Sequence, residues 1–271
     1  MTVSIEKSGR VWTVIHNRPE ARNAMDPESA DALQAAFLEF DASDEADVAV
    51  FYGEGGAFCA GWDLKYGASL RDIGELSDLD FPDRFEEAGN GGAMPRGPMG
   101  PSRLHLSKPV IGAIAGPAVA GGMELALWCD CRVMEKSAYL GVYCRRWGIP
   151  LIDGGTVRLP RIVGRGRALE IAMTGRKVPA EECLRIGLCE RVVDDGTCRA
   201  AAEELAHEIA RFPQQCVRAD RASIYGQSGK GLWHAMQDEW TGGIGVMNQE
   251  GFAGAGRFAS GAGRSGDFEN I

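Results

Sequence analysis

A glutamate follows two glycines near the middle of the chain, in the stretch Gly121-Gly122-Met123-Glu124. The apolar run 110–115 has the pattern of a buried strand, and residues 123–128 have the pattern of a helix. The free N–H groups at the beginning of a helix carry partial positive charge, and glycine lets another molecule approach them closely. The junction therefore predicts a site for an anion, or for an oxygen that becomes anionic during a reaction.

A second glycine turn, Ala60-Gly61-Trp62-Asp63, follows the apolar run 48–52. We expect it at the same sheet edge as Gly121. Two N–H groups that converge on one carbonyl oxygen from separate turns form an oxyanion hole. Each turn taken alone is more typical of an ordinary strand-to-helix connection.

The two turns lie in segments that resemble the signature segments of the crotonase (enoyl-CoA hydratase/isomerase) superfamily, residues 57–64 and 108–126. Further segments resemble family motifs in the same order, namely 17–24, 148–159 and 174–188. The resemblance implies an α/β fold, a crotonase-like spiral of strand-strand-helix units with a C-terminal helical region. It also implies an acyl-CoA-binding core over 1–198, and an oligomerisation region over 199–271 that forms a homotrimer or a dimer of trimers.

Carried over residue by residue, the resemblance places the two oxyanion-hole amides at Trp62 and Gly121. In the family these amides hold the thioester oxygen of an acyl-CoA while its α-carbon carries enolate charge. The positions that match the family's coenzyme A site are Arg22, Ala60, Asp63 and Leu64. Arg22 also fits an ordinary surface arginine.

Glu124 matches the first of two glutamates that hydratases of this family use on their water molecule. It also fits a carboxylate stabilised by the positive end of a helix. The second glutamate position falls on Cys144, and no glutamate lies between Lys136 and Glu170. A thiol has an ordinary pKa of ~8.5 against ~4.3 for glutamate, so it is no simple substitute. We expect a packed thiol at Cys144, and the two-glutamate hydration mechanism is put in doubt.

Asp153 stands directly before Gly154-Gly155-Thr156. This position resembles one where dienoyl-CoA isomerases carry a catalytic aspartate and aryl-CoA dehalogenases a nucleophilic one. Asp153 also fits the N-cap of the following turn. With Glu124 it would supply the acid and the base that move a proton or add water beside an enolate.

The predicted activity is that of an enoyl-CoA hydratase or isomerase, with no metal and no cofactor beyond the coenzyme A of its substrate. Three alternatives stay open: a dienoyl-CoA isomerase, a hydrolase or dehalogenase-like enzyme that uses Asp153, and a non-catalytic acyl-CoA-binding subunit. Trp62 and Trp147 fit either walls of an acyl pocket or core packing.

The net charge of −9 and the lack of a basic stripe argue against nucleic acid as a partner. The longest uncharged stretch is too short and too rich in glycine and proline to span a membrane. Eight scattered cysteines without metal-ligand spacing indicate reduced thiols in a cytoplasmic protein.

Local patterns predict the elements that hold these residues. Residues 3–6 and 11–16 have the pattern of two strands, and Asp26-Pro27 that of a helix start. Residues 67–103, rich in charge, glycine and proline, predict a loop or lid. From about residue 165 the chain is predicted to be mostly helical.

Overall fold

A computed structural model describes residues 2–82 and 94–263 of the chain. Its internal contacts divide the chain into two units, Met1–His207 and Glu208–Ile271. All of the predicted site residues belong to the first unit.

The first unit is built on a six-stranded sheet with the strand order β1-β2-β3-β4-β6-β9. Strands β1 and β2 form an antiparallel hairpin, as the two apolar runs predicted, and the remaining pairs are parallel. Its strands are β1 Val3–Ser8, β2 Val11–His16, β3 Val48–Gly53, β4 Val110–Ile114, β6 Cys131–Glu135 and β9 Arg191–Val193.

A smaller sheet has the order β5-β7-β8, with β5 Pro117–Val119, β7 Tyr139–Gly141 and β8 Lys177–Pro179. From β4 to β7 the chain alternates between the two sheets: β4 and β6 lie in the large sheet, and β5 and β7 lie in the small one. Helix α3, Gly121–Trp128, follows β5, and helix α4, Gly155–Val163, comes after β7. This repetition confirms the predicted strand-strand-helix units.

Helix α1, Pro27–Ala42, covers the large sheet. Asp26 accepts a hydrogen bond from the Ser29 amide at 2.9 Å, and proline occupies the first helical position, as predicted. The Phe37 ring packs 5.4 Å from Phe51 and 4.8 Å from Trp128 at the end of α3. These edge-to-face contacts join α1, the sheet and α3 in one core.

The other helices of the first unit are α2 Leu64–Ser69, α5 Arg165–Thr174, α6 Ala180–Ile186 and α7 Cys198–Ala210, which ends just inside the second unit. Short 3₁₀ helices occupy Pro19–Ala21, Ile73–Leu79, Pro101–Arg103 and Tyr143–Trp147.

The second unit contains α8 Gln214–Gly226, α9 Leu232–Val246 and α10 Phe252–Ser260, with a π-helical turn at Met247–Gly251. The predicted helical character of the C-terminal region is confirmed. Over residues 2–82 and 94–263, none of the helices combines the length and the apolarity needed to cross a membrane.

The prediction of a loop over 67–103 was wrong in part. Helix α2 extends through Ser69, and Ile73–Leu79 forms a 3₁₀ helix. Aspartates begin both elements, because Asp63 accepts from the Lys65 and Tyr66 amides and Asp72 accepts from the Gly74 amide. The two caps stabilise short helices in a stretch that has no helical periodicity of apolar residues, which is why the sequence pattern did not predict them. Residues 83–93, which the same prediction includes, lie outside the described residues.

Gly122 marks the closest backbone approach in this part of the fold. A Cβ atom there would lie 2.0 Å from the Cys59 carbonyl oxygen. We expect Gly122→Ala to lower the free energy of unfolding by about 1–3 kcal/mol, because the two turns must separate. Urea denaturation measures this loss. The matched control is Gly166→Ala, where nothing lies within 4 Å of an added Cβ inside helix α5. It should stabilise the protein slightly, and an equal loss in both variants would contradict the explanation.

Candidate active site

The two glycine turns lie side by side. The Cys59 amide donates to the Pro117 carbonyl at 3.2 Å, and the Val119 amide donates back to the Cys59 carbonyl at 3.0 Å. This short ladder fixes the turn after β3 against the strand that leads into α3. A Cβ atom on Gly61 would lie 3.2 Å from the Gly121 nitrogen. The structure therefore brings together the two segments that were predicted to meet.

The backbone N–H groups of Trp62 and Gly121 are available in this arrangement. Within the described part of the chain neither N–H donates a hydrogen bond. Gly121 is the first residue of α3, where the helix dipole contributes positive potential. Ala120 before it has φ 55° and ψ −126°, a backbone conformation that is costly for alanine. The chain thus maintains strain at the point where two amides could meet one oxygen.

Glu124 lies in the first turn of α3 and is only 3% exposed. Its Oε1 atom accepts from the amide N–H groups of Asp153, at 2.9 Å, and Gly155, at 2.8 Å. Burial and the nearby Asp153 charge raise the pKa of Glu124 to about 7, although the two N–H donors act against the rise. Glu124 can therefore exchange a proton near neutral pH.

Asp153 is also 3% exposed and lies directly before the turn that begins α4. Its side chain does not cap that helix, so the capping alternative is not observed. Instead its Oδ1 atom accepts from the Met99 amide at 3.0 Å and from the Ser102 hydroxyl. Burial raises the pKa of Asp153, while the Ser102 hydroxyl, the Met99 amide, Arg103 and Arg158 act to lower it.

Both carboxyls line a cavity of about 360 Å³ that also includes Gly121 and Trp62. The rest of the cavity wall is mostly apolar, and its larger side chains are Leu64, Ile73, Leu76, Met99, Tyr143, Trp147, Ile149 and Ile152. A cavity of this size with two polar groups at one place suits an apolar acyl group whose reacting atoms lie beside the carboxyls. Trp62 and Trp147 both belong to the wall, which agrees with the pocket interpretation of these residues.

Cys144 lines the same cavity and is buried. Burial, with a smaller contribution from the Glu124 charge, raises the pKa of its thiol. The thiol therefore stays protonated at neutral pH, which agrees with a packed cysteine and not with an activated nucleophile.

The four residues matched to a coenzyme A site occupy two adjoining segments. The Ala60 amide donates to the Arg22 carbonyl at 3.0 Å, so the loop that carries Arg22 borders the glycine turn. Ala60 and Leu64 line the cavity. Arg22 does not line it, and its side chain is exposed to solvent. The Asp63 carboxylate caps α2 and forms an ion pair with Arg18 at 2.7 Å. Its side chain thus holds this corner of the site together.

Three residues of the site were missed by sequence reasoning: Met99, Ser102 and Arg158. Met99 and Ser102 belong to the stretch that was predicted as a loop, and no periodic pattern singles them out. Arg158 donates to the backbone carbonyls of both Asp153, at 2.9 Å, and Ser102, at 2.7 Å. Arg158 lies on helix α4, and because that helix was not predicted, nothing in the sequence analysis placed Arg158 near Asp153.

Comparison with known proteins places this chain in a family. A family model described as enoyl-CoA hydratase/isomerase matches residues 6–80 and 102–238, so residues 81–101 lie outside the match. The enoyl-CoA hydratase EchA19 of Mycobacterium tuberculosis is 34% identical over 81% of this chain and 79% of its own length. A carnitinyl-CoA dehydratase of Salmonella typhi is 36% identical over 80% of this chain and 78% of its own length.

Solved structures give the same result. The enoyl-CoA hydratase EchA1 of Mycobacterium marinum superimposes with a TM-score of 0.84 at 28% identity, covering 96% of both chains. An enoyl-CoA hydratase of Bacillus anthracis superimposes with a TM-score of 0.83 at 29% identity, also covering 96% of both chains. The fold of the chain is thus the crotonase fold, as the sequence motifs implied.

Proposed function

Since the chain belongs to the enoyl-CoA hydratase/isomerase family, we propose that it hydrates or isomerises the double bond of an enoyl-CoA. The observation that carries the proposal is the position of two buried carboxyls, Glu124 and Asp153, in the same cavity as the paired turns. Such a pair can remove one proton and deliver another without help from solvent.

The thioester oxygen would accept hydrogen bonds from the amides of Trp62 and Gly121. When a proton leaves C2, or a nucleophile adds to C3, negative charge develops on this oxygen as an enolate. Fixed amide dipoles and the positive end of α3 stabilise that charge in the transition state. Because amides hold the charge, the proposed reaction requires no metal and no cofactor beyond the coenzyme A of the substrate.

The surroundings of the two carboxyls suggest separate roles. Burial raises the pKa of Asp153, while its hydrogen-bond donors and the nearby cations act against the rise. Because the Asp153 charge in turn raises the pKa of Glu124, we assign the charged form, and the role of base, to Asp153. Glu124, with a pKa of about 7, is the acid. In isomerisation Asp153 takes a proton from C2 of a 3-enoyl thioester and Glu124 delivers one to C4. In hydration Asp153 takes a proton from water as its oxygen adds to C3, and Glu124 protonates C2.

Coenzyme A would extend from the cavity along Ala60 and Leu64 toward the exposed guanidinium of Arg22. Asp63 supports this path through its ion pair with Arg18 and its cap on α2. We also propose a homotrimer or a dimer of trimers in the cytoplasm. Helix α9 supports the assembly, because it exposes large apolar side chains at Leu232, Trp233, Met236 and Trp240.

The test is to offer the protein a 2-enoyl-CoA, a 3-enoyl-CoA and a dienoyl-CoA and to follow the conjugated thioester absorbance and the products. We expect turnover of the 2-enoyl or the 3-enoyl substrate. Turnover of the dienoyl-CoA alone, or release of free coenzyme A, would replace the proposal by one of the alternatives. Binding of all three without turnover would indicate an acyl-CoA-binding subunit.

Cys144 offers a test of the hydration step. We expect Cys144→Glu to raise the hydration rate of a 2-enoyl-CoA about tenfold, because a further carboxylate would hold the attacking water. The matched control is Cys144→Gln, which has a similar size and no charge. Equal hydration rates in the two variants would show that the absent glutamate does not limit the reaction.

A further inference from the structure

Asp153 binds both of its hydrogen-bond donors through one oxygen. The Met99 amide, at 3.0 Å, and the Ser102 hydroxyl both donate to Oδ1. Over residues 2–82 and 94–263 no donor meets the other oxygen, Oδ2. One oxygen is therefore held by the protein, and the second is left for the cavity that Asp153 lines.

The Ser102 hydroxyl has little freedom to leave this position, because Ser102 is 1% exposed. A Cβ atom on Gly97 would lie 2.0 Å from the Ser102 Oγ atom and 2.7 Å from Asp153 Oδ1. Glycine at 97 thus makes room for the hydrogen bond.

One guanidinium joins the two backbone segments that carry this hydrogen bond. Arg158 donates through Nη1 to the Asp153 carbonyl at 2.9 Å and through Nη2 to the Ser102 carbonyl at 2.7 Å. The segment with Gly97 and Met99 falls in residues 81–101, which the family model does not match. One of the two donors to the carboxylate, the Met99 amide, therefore belongs to a stretch that the family model does not match, while Ser102 is the first residue of the second matched segment.

We propose that Ser102 is a positioning residue, whose hydroxyl acts with the Met99 amide to hold one oxygen of Asp153 and direct the other at the substrate. The inference rests on the proposed function, since it assumes that Asp153 is the working base. Ser102 acts through Asp153 and does not touch the substrate itself.

Other charged and titratable groups also face Asp153. Glu124 lies on α3 and Arg158 on α4. Arg103 lies on the 3₁₀ helix Pro101–Arg103, and Cys59 directly precedes the glycine turn of residues 60–63. A change at Ser102 leaves these groups in place, so its effect on Asp153 can be separated from theirs.

The experiment compares Ser102→Ala with the wild type. We expect kcat to fall ten- to hundredfold with little change in KM, because a hydrogen bond to a charged group is lost. The acidic limb of the pH profile should move upward by about one pH unit, because the carboxylate loses a donor. Ser29→Ala is the matched control, since Ser29 is a buried serine whose hydroxyl has no partner among the described residues. It should behave as wild type.

Two further variants separate positioning from folding. Gly97→Ala should displace the hydroxyl and shift the pH profile in the same direction as Ser102→Ala. In an Asp153→Asn background, Ser102→Ala should cause no further loss of kcat, because the carboxylate through which it acts is gone. An unshifted pH profile, or a full further loss in the double variant, would overturn the inference.

A direct titration keeps this inference separate from the proposed function. Carbon-13 NMR of labelled aspartate, with Asp153→Asn for assignment, measures the pKa of Asp153 without any substrate. We expect that pKa to be higher in Ser102→Ala than in wild type, and an unchanged value would overturn the inference. If wild type turns over no enoyl-CoA, the proposed function fails, while the titration still decides whether Ser102 controls this carboxyl.

Discussion

Replacement of Glu124 by glutamine is expected to lower kcat about a thousandfold, which is within the range for loss of a general acid. The glutamine carbonyl can still accept from the amides of Asp153 and Gly155, as Glu124 Oε1 does at 2.9 and 2.8 Å. The turn before α4 is therefore retained while the transferable proton is lost. Steady-state kinetics with the substrate found in the three-substrate test measures the effect.

The pH dependence gives this variant a second signature. Wild type should lose activity as the pH rises through about 7, because Glu124 loses the proton that it donates. Burial raises the pKa of Glu124 above its ordinary value, so its contribution to folding is full at acidic pH and is lost as the pH rises through about 7. Both dependences should be absent in Glu124→Gln. A variant within tenfold of wild type would show that Glu124 is not the acid.

Replacement of Asp153 by asparagine is the second change with a large expected effect, a fall in kcat of about a hundred- to a thousandfold. The amide oxygen can still accept from Ser102 and Met99, but the side chain can no longer take a proton. Binding of a coenzyme A ester should change little, because Asp153 lies at the reacting end of the cavity. Kinetics and calorimetric titration together measure the two effects.

Asp130→Asn is the matched control for this change. The Asp130 carboxylate accepts from the Val110 amide at 2.8 Å, and asparagine keeps that acceptor. Asp130 does not line the cavity, so its variant should keep wild-type kcat. Equal losses in the two variants would mean that the Asp153 effect is structural. A covalent acyl adduct on Asp153 in wild type, detected by mass spectrometry, would instead identify a nucleophile.

Local sequence signals accounted for much of the fold. Asp26-Pro27 predicted the start of α1, and the glycines at 61 and 121 predicted two turns that the structure brings together. Each of these features depends on a few adjacent residues, on a cap, on a fixed proline φ or on the small size of glycine. Such signals are readable because no distant residue is needed to produce them.

The hydrogen bonding of the carboxyls could not be predicted in this way. One of the two interpretations of Asp153 was an N-cap for the turn that follows it, yet the Gly155 amide donates to Glu124, 31 positions earlier in the chain. Ser102 reaches Asp153 across 51 positions and from a stretch without periodicity. These pairings depend on how the 3₁₀ helix Pro101–Arg103 packs against α3 and α4. Patterns within a single sequence do not report the packing of distant elements.

The most direct test of the central claim is the reaction in deuterium oxide. If Asp153 removes one proton and Glu124 delivers another to an enolate, each turnover should place one solvent deuterium on carbon. We expect it at C2 of the product when water is added, and at C4 when the double bond moves. NMR and mass spectrometry of the product locate it. In isomerisation, a product with no deuterium at C4, formed at the normal rate, would mean that one carboxyl carries the substrate's own proton from C2 to C4, and it would contradict separate acid and base roles. Hydration must place deuterium at C2 whichever carboxyl delivers it, so there the contradicting result is a Glu124→Gln variant that places deuterium at C2 at the wild-type rate.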